Sequence, residues 1–214
     1  MSLSQLFKPA KPPDDWLMLP QGDWLQAKVQ KRLDTWLPRL LGDNLLKVGS
    51  LSRALDTEKA AMSSTIQINR VPAEAVDLLS KTHEIPISCT SIDLAISALT
   101  LDFTRKPHTT IRELHRVLVP DGHLILVNFN PWSFWGLGKL VAGITGRVPW
   151  NASFYSPSRI NDWLYLLGFD LLDYEFFAHG PPFSWGKHAK FQLLGEYFPK
   201  TGAVVMMLLR KNTV

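Results

Sequence analysis

The chain has 214 residues, 46% of them hydrophobic and 20% charged, with 23 Lys and Arg against 19 Asp and Glu. That length suits one domain, residues 1–214, and that balance excludes a disordered or tail-like polymer. Cys89 is the only cysteine, which excludes an internal disulfide and a cysteine-based zinc site, and the six His lack metal-ligand spacing.

The amino terminus, MSLSQLFKPAKPPDD, lacks the apolar core of a secretory signal, and the longest apolar run, Ala203 to Leu209, is too short to cross a bilayer. A cytoplasmic protein is expected. Residues 1–21 carry Pro9, Pro12, Pro13 and Pro20 without periodicity and read as an extended arm. Over 22–42, Asp23 with Gln26 three residues later predicts a capped helix start. Leu25, Val29, Leu33, Trp36, Leu37 and Leu40 follow at helical spacing, and Gly42 is the expected stop.

Strands are predicted over 44–48, 64–69 and 92–97, and a helix over 108–118. Pro120-Asp121-Gly122 predicts a turn in which Pro sets one backbone angle and Gly supplies another. The run HLILVN over 123–128 predicts a strand buried on both faces. Residues 129–150 are apolar and glycine-rich, which predicts either a packed insertion or a lid. Ser156-Pro157 opens a further helix that ends at Gly168. Strands are then predicted over 169–177 and 202–210, and with no clear crossover helix between them an antiparallel pair is expected. The alternation predicts an α/β three-layer sandwich with a seven-stranded, mostly parallel sheet and an antiparallel last strand.

The Lys and Arg, net +4, form no block of five like charges, so a nucleic-acid footprint is not expected. His108, His115, His179, His188 and Asp102 are the residues to weigh as bases, and the bland reading of each is a surface or turn position.

The stretch from Ile85 to Phe134 carries Ile85-Pro86-Ile87, Ile92-Asp93-Leu94 and Leu101-Asp102-Phe103, then Glu113, Arg116, Val117, Leu118, Pro120 and Gly122, and finally Asn130-Pro131. Their order and spacing resemble the type-11 branch of class I S-adenosylmethionine-dependent methyltransferases, and the chain is similar to a proteobacterial branch of them. The resemblance implies a Rossmann-like fold, an S-adenosylmethionine cofactor and a methyl acceptor.

It also implies a cofactor site at Gly49, Ser50, Leu51, Asn69, Thr82, His83, Ser97 and Leu99, at the carboxyl ends of the strands ending near Val48, Asn69 and Ser97. The family's glycine loop is degenerate here. Gly49 remains, Lys47 stands for the acid, and Leu51 and Arg53 stand for later glycines. Asn69 replaces the ribose-binding acid, and Lys81 stands where another acid is usual. The cofactor is net cationic, so weak or absent binding is expected, with Asp56, Glu58 or Glu84 as compensating acids. Catalytic residues stay unassigned. The expected function is methylation of an apolar small molecule. The alternatives are a methyltransferase fold serving as a binding or regulatory module, or an RNA modifier. Nothing in the pattern speaks to oligomeric state.

Overall fold

The computed structural model describes residues 12–142, 148–182 and 189–213. In chain order the elements are α1 (Gly22–Trp36), β1 (Asn44–Val48), α2 (Ser50–Arg53), β2 (Ser64–Asn69), β3 (Leu78–Leu79), β4 (Ile92–Ala98), α3 (Thr100–Phe103) and α4 (Pro107–Val117). They continue with β5 (Leu118–Phe129), α5 (Phe134–Ala142), α6 (Pro157–Leu166), β6 (Phe169–Phe177), α7 (Ala189–Tyr197) and β7 (Val204–Lys211). The seven strands form one sheet in the order β3-β2-β1-β4-β5-β7-β6. The pairs from β3 to β5 are parallel, and β7 runs antiparallel between β5 and β6.

A period of two sorts the strand residues onto two cores. Leu45, Leu94, Ile96, Ile125 and Val127 pack with Leu25, Val29, Leu33 and Trp36 of α1 on one face. Leu46, Ala95, Leu124 and Leu126 pack with Ile111 and Leu114 of α4 and Ile160 and Leu164 of α6 on the other. Strand β5 is interior, so HLILVN is buried on both sides, as an apolar run without alternation requires. The expected α/β sandwich is therefore what forms.

Several local expectations give way to other forces. Helix α1 has no side-chain cap: its N-cap is Gln21, left-handed at φ 56, and Asp23 lies within the first turn. The helix ends at Trp36, and a 3-10 turn over Leu37–Arg39 follows. Gly42 is thus not its stop. A Cβ there would lie 2.4 Å from the Cβ of Asp93, whose carboxylate accepts from the amides of Asp43 and Asn44. At 120–122 the left-handed residue is Asp121 (φ 59) rather than Gly122. Gly122 is needed for closeness, since a Cβ would stand 2.9 Å from the Val119 carbonyl. Helix α7 does lie between β6 and β7, although the two strands are antiparallel.

Two segments read from sequence hold the sheet's carboxyl end. Within 12–21, Trp16 is fully buried and its Nε1 donates to the Leu51 carbonyl at 2.9 Å. Beyond β5, α5 buries Trp135, which stacks on Phe129 at 6.0 Å, while Trp132, Phe134 and Leu137 stay exposed. Residues 1–11 of the arm, and Gly143 and Gly146 of the insertion, lie outside the described residues.

Candidate functional site

The sheet changes direction between β1 and β4, and open α/β sheets bind ligands at the carboxyl ends of such strands. Here those ends are fastened by short polar side chains. The Ser52 hydroxyl donates to the Val48 carbonyl at 2.8 Å and accepts from the Ala98 amide at 2.8 Å. The Thr100 hydroxyl donates to the same Val48 carbonyl at 2.9 Å. Between them the backbone takes two unusual conformations. Gly49 has φ 91 and ψ 163, and a Cβ there would meet the Thr100 hydroxyl at 2.5 Å. Leu99 is left-handed at φ 54 although it is not glycine, and its amide donates to the Val127 carbonyl at 2.7 Å. Strain of this kind gathers at binding sites because surrounding structure must hold it in place.

A cavity of about 240 Å³ opens beside these two residues. Gly49, Ser50, Leu51, Asn69, Thr82, His83 and Leu99 all line it, together with Phe103. Ser97 does not: it is buried at the end of β4, and its hydroxyl has no hydrogen-bond partner. Pro12 and Pro13 of the amino-terminal segment also border the cavity.

Asn69 is largely committed to the fold. Its Oδ1 accepts from the Ser50 hydroxyl at 3.1 Å and from the Arg70 amide at 2.8 Å. What it can offer a ligand is the Nδ2 amide, a donor, where the family's acid would accept. Thr82 and Thr110 share a hydroxyl contact at 3.3 Å. Burial lowers the pKa of His83, and Lys106, Lys81 and Arg70 lower it further against the opposing pull of Glu84.

Two of the substituted loop residues, Lys47 and Arg53, fall elsewhere than the spacing implied, while Leu51 lines the cavity. Lys47 does not line the cavity. Its ammonium donates to the Leu55 carbonyl at 2.7 Å, and burial lowers its pKa, opposed by Asp56. Arg53 turns to the Glu74 carbonyl at 3.0 Å. Lys81 does line the cavity, in a 3.2 Å ion pair with Glu84. Neither Asp56, Glu58 nor Glu84 is among the lining residues. The cavity's charge comes instead from Arg70, Lys81, Arg105 and Lys106, with no acid beside them among the described lining residues. The adjacent Arg105-Lys106 pair just before Pro107 was the visible signal for half of this cluster.

The residues weighed as bases stand apart. Asp102 is buried beneath the sheet end, accepting from Asn128 Nδ2 at 3.0 Å and the Phe129 amide at 3.3 Å, and burial raises its pKa well above the usual carboxylate range. His108 packs on Trp163, His115 on Phe169, and His179 bonds the Pro199 carbonyl. None of these lines the cavity, and His188 lies outside the described residues. Among the described residues no group of His, Cys, Asp and Glu forms a metal site, and no helix is long and apolar enough to cross a membrane.

Residues 43–126 match the methyltransferase domain of the type-11 family. The chain is 34% identical over 202 residues to the uncharacterized protein YafS of Escherichia coli (strain K12), covering 94% of this chain and 82% of that one. It belongs to the type-11 branch of the class I S-adenosylmethionine-dependent methyltransferases. A shorter likeness, 30% over 104 residues, joins this methyltransferase-family chain to the malonyl-[acyl-carrier protein] O-methyltransferase of Laribacter hongkongensis, covering 48% of this chain and 35% of that one. The fold superimposes on an S-adenosylmethionine-dependent methyltransferase from Mesorhizobium loti with a TM-score of 0.59 at 16% identity, over 85% of this chain and 96% of that one.

The cavity suits the apolar surface of the family's cofactor better than its charge. Leu51, Leu99 and Phe103 supply apolar walls for a nucleoside, beside the bare backbone of Gly49. The lining holds four cations and no carboxylate among the described residues, which opposes the cofactor's net positive charge.

Proposed function

We propose that this chain is an S-adenosylmethionine-dependent methyltransferase with its cofactor site in the cavity beside Gly49 and Leu99, acting on a small-molecule acceptor. The observation that carries this reading is the pair of unusual backbone conformations, Gly49 at φ 91 and Leu99 at φ 54, flanking a cavity at the switch point of the sheet. When bound, the cofactor supplies an electrophilic methyl group. The chain's own residues would supply position: Asn69 Nδ2 would donate to a ribose hydroxyl, Thr82 and His83 would border the base, and Leu51, Leu99 and Phe103 would exclude water. Methyl transfer asks chiefly for alignment of acceptor and methyl group, which agrees with a lining that holds no carboxylate among the described residues.

The grip on the cofactor is weak in this reading, because Arg70, Lys81, Arg105 and Lys106 oppose a net cation. The acceptor has an apolar body in this reading, supported by Trp132, Phe134 and Leu137, which are 74%, 44% and 61% exposed just beyond the carboxyl end of β5 but do not line the cavity itself. The alternative of a binding module without catalysis draws no support from the family likenesses. We place the protein in the cytoplasm. Calorimetric titration with S-adenosylmethionine and S-adenosylhomocysteine tests the reading: both bind, the neutral product more tightly. Low-micromolar S-adenosylmethionine binding would refute the weak grip, and no binding of either would refute the methyltransferase.

A further inference from the structure

The four cations come from three separate connections. Arg70 follows β2, Lys81 follows β3, and Arg105 and Lys106 lie between α3 and α4. All four belong to exposed residues at the cavity's edge. Lys81 has Glu84 as a partner at 3.2 Å, but among the described residues no carboxylate forms an ion pair with Arg70, Arg105 or Lys106. Convergence of like charges from three loops raises the energy of the empty site, and a bound anion would lower it.

Two further features agree. Asn69, beside Arg70, has its oxygen used internally and offers a ligand only its amide donor. His83 lines the same cavity; burial lowers its pKa, and Lys106, Lys81 and Arg70 lower it further against Glu84, whose carboxylate stands 3.7 Å from Nε2.

We infer that the cavity mouth is a site for an anion carrying two or more negative charges, held by Arg70, Arg105 and Lys106, and that this anion is the charged group of the methyl acceptor. The second half of that statement rests on the methyltransferase reading; the first does not. The assignment also accounts for the missing acids. S-adenosylmethionine carries a net positive charge, and the bare rim repels it, whereas a dianion seated in the rim cancels most of that repulsion. Cofactor and acceptor then assist each other's binding, and the coupling is reciprocal. The acceptor is accordingly amphiphilic, an apolar body with a phosphate-like head.

Pyrophosphate is the probe. Calorimetry on the full chain at constant ionic strength measures pyrophosphate alone, then S-adenosylmethionine with and without saturating pyrophosphate. The expected results are pyrophosphate binding and a gain in S-adenosylmethionine affinity of roughly fivefold or more, with a smaller gain for S-adenosylhomocysteine, which lacks the sulfonium. The Arg70→Glu, Lys106→Glu double variant is expected to lose both effects. The neutral pair Arg70→Gln, Lys106→Gln, which does not crowd acids onto the rim, is expected to lose most of them with a melting temperature that is unchanged or raised by the relieved repulsion. If pyrophosphate binds and the variants abolish it, yet neither cofactor form binds, the anion site stands and the methyltransferase reading falls. If pyrophosphate fails to bind, binds the variants equally well, or weakens S-adenosylmethionine binding, the inference is overturned.

Discussion

Replacing Gly49 by Ala tests whether the turn after β1 is built as described. The residue has φ 91 and ψ 163, a region that side chains avoid, which by itself costs about 1–3 kcal/mol. The new Cβ would also stand 2.5 Å from the Thr100 hydroxyl. That hydroxyl must turn away and give up its 2.9 Å bond to the Val48 carbonyl, a further loss of about 1 kcal/mol. The sum, about 2–4 kcal/mol, corresponds to a fall in melting temperature of roughly 4–15 °C for a chain of this size. Two companions separate the parts. Gly168 has φ 84 but nothing within 4 Å of its Cβ position, so Gly168→Ala carries the backbone cost alone, about 1–2 kcal/mol. In a Thr100→Ala background the Gly49→Ala penalty shrinks by about 1 kcal/mol, because the clashing oxygen is gone. Urea denaturation of the four variants reads all of this. A Gly49→Ala penalty below about 0.5 kcal/mol, the range of ordinary surface changes, would refute the argument. So would a penalty that Thr100→Ala does not relieve.

Asp102 is buried with a raised pKa, so the folded chain keeps a proton that the unfolded chain releases near pH 4. Wild-type stability therefore declines relative to Asp102→Asn as pH rises from about 4, and the two run parallel below; urea midpoints with the opposite slope would contradict this. Arg116 grips both Glu113 oxygens, at 3.0 and 2.9 Å, and the carbonyls of Ile85 and Ile87 at 2.8 and 2.9 Å. Arg116→Lys keeps the charge but not the fork, and is expected to cost about 1–2 kcal/mol and to speed amide exchange over 85–89; unchanged exchange would count against it. Trp16→Phe leaves the Leu51 carbonyl without its donor and is expected to cost about 1–3 kcal/mol in urea denaturation; a neutral result would detach the amino-terminal segment from the cavity floor.

The strands were legible because their side chains answer to local periodicity. Leu45 and Leu46, or Leu124 and Ile125, go to opposite cores simply by alternation. Close approaches were not legible. Gly42 and Gly122 look like a helix stop and a left-handed turn residue, yet Gly42 is needed because Asp93 of β4 comes too near for a Cβ, and Gly122 because the carbonyl of Val119, three residues back on β5, does. The candidate site shows the same division. Gly49, Asn69 and Leu99 sit at strand ends, which a strand prediction locates. The charge did not follow from position in a motif: Lys47 curls back to the Leu55 carbonyl, while Arg70, Arg105 and Lys106 converge only after the sheet has assembled.

Amide chemical-shift mapping of the full chain with S-adenosylhomocysteine tests the central claim most directly, because that ligand lacks the sulfonium and shows the site even when the cationic rim weakens the cofactor. The largest changes are expected at Gly49, Ser50, Asn69, Thr82, His83 and Leu99, around the cavity at the carboxyl ends of β1, β2 and β4. Changes centred instead on the open groove of Trp132, Asn161, Leu171 and Tyr174, or no changes at all, would contradict the account.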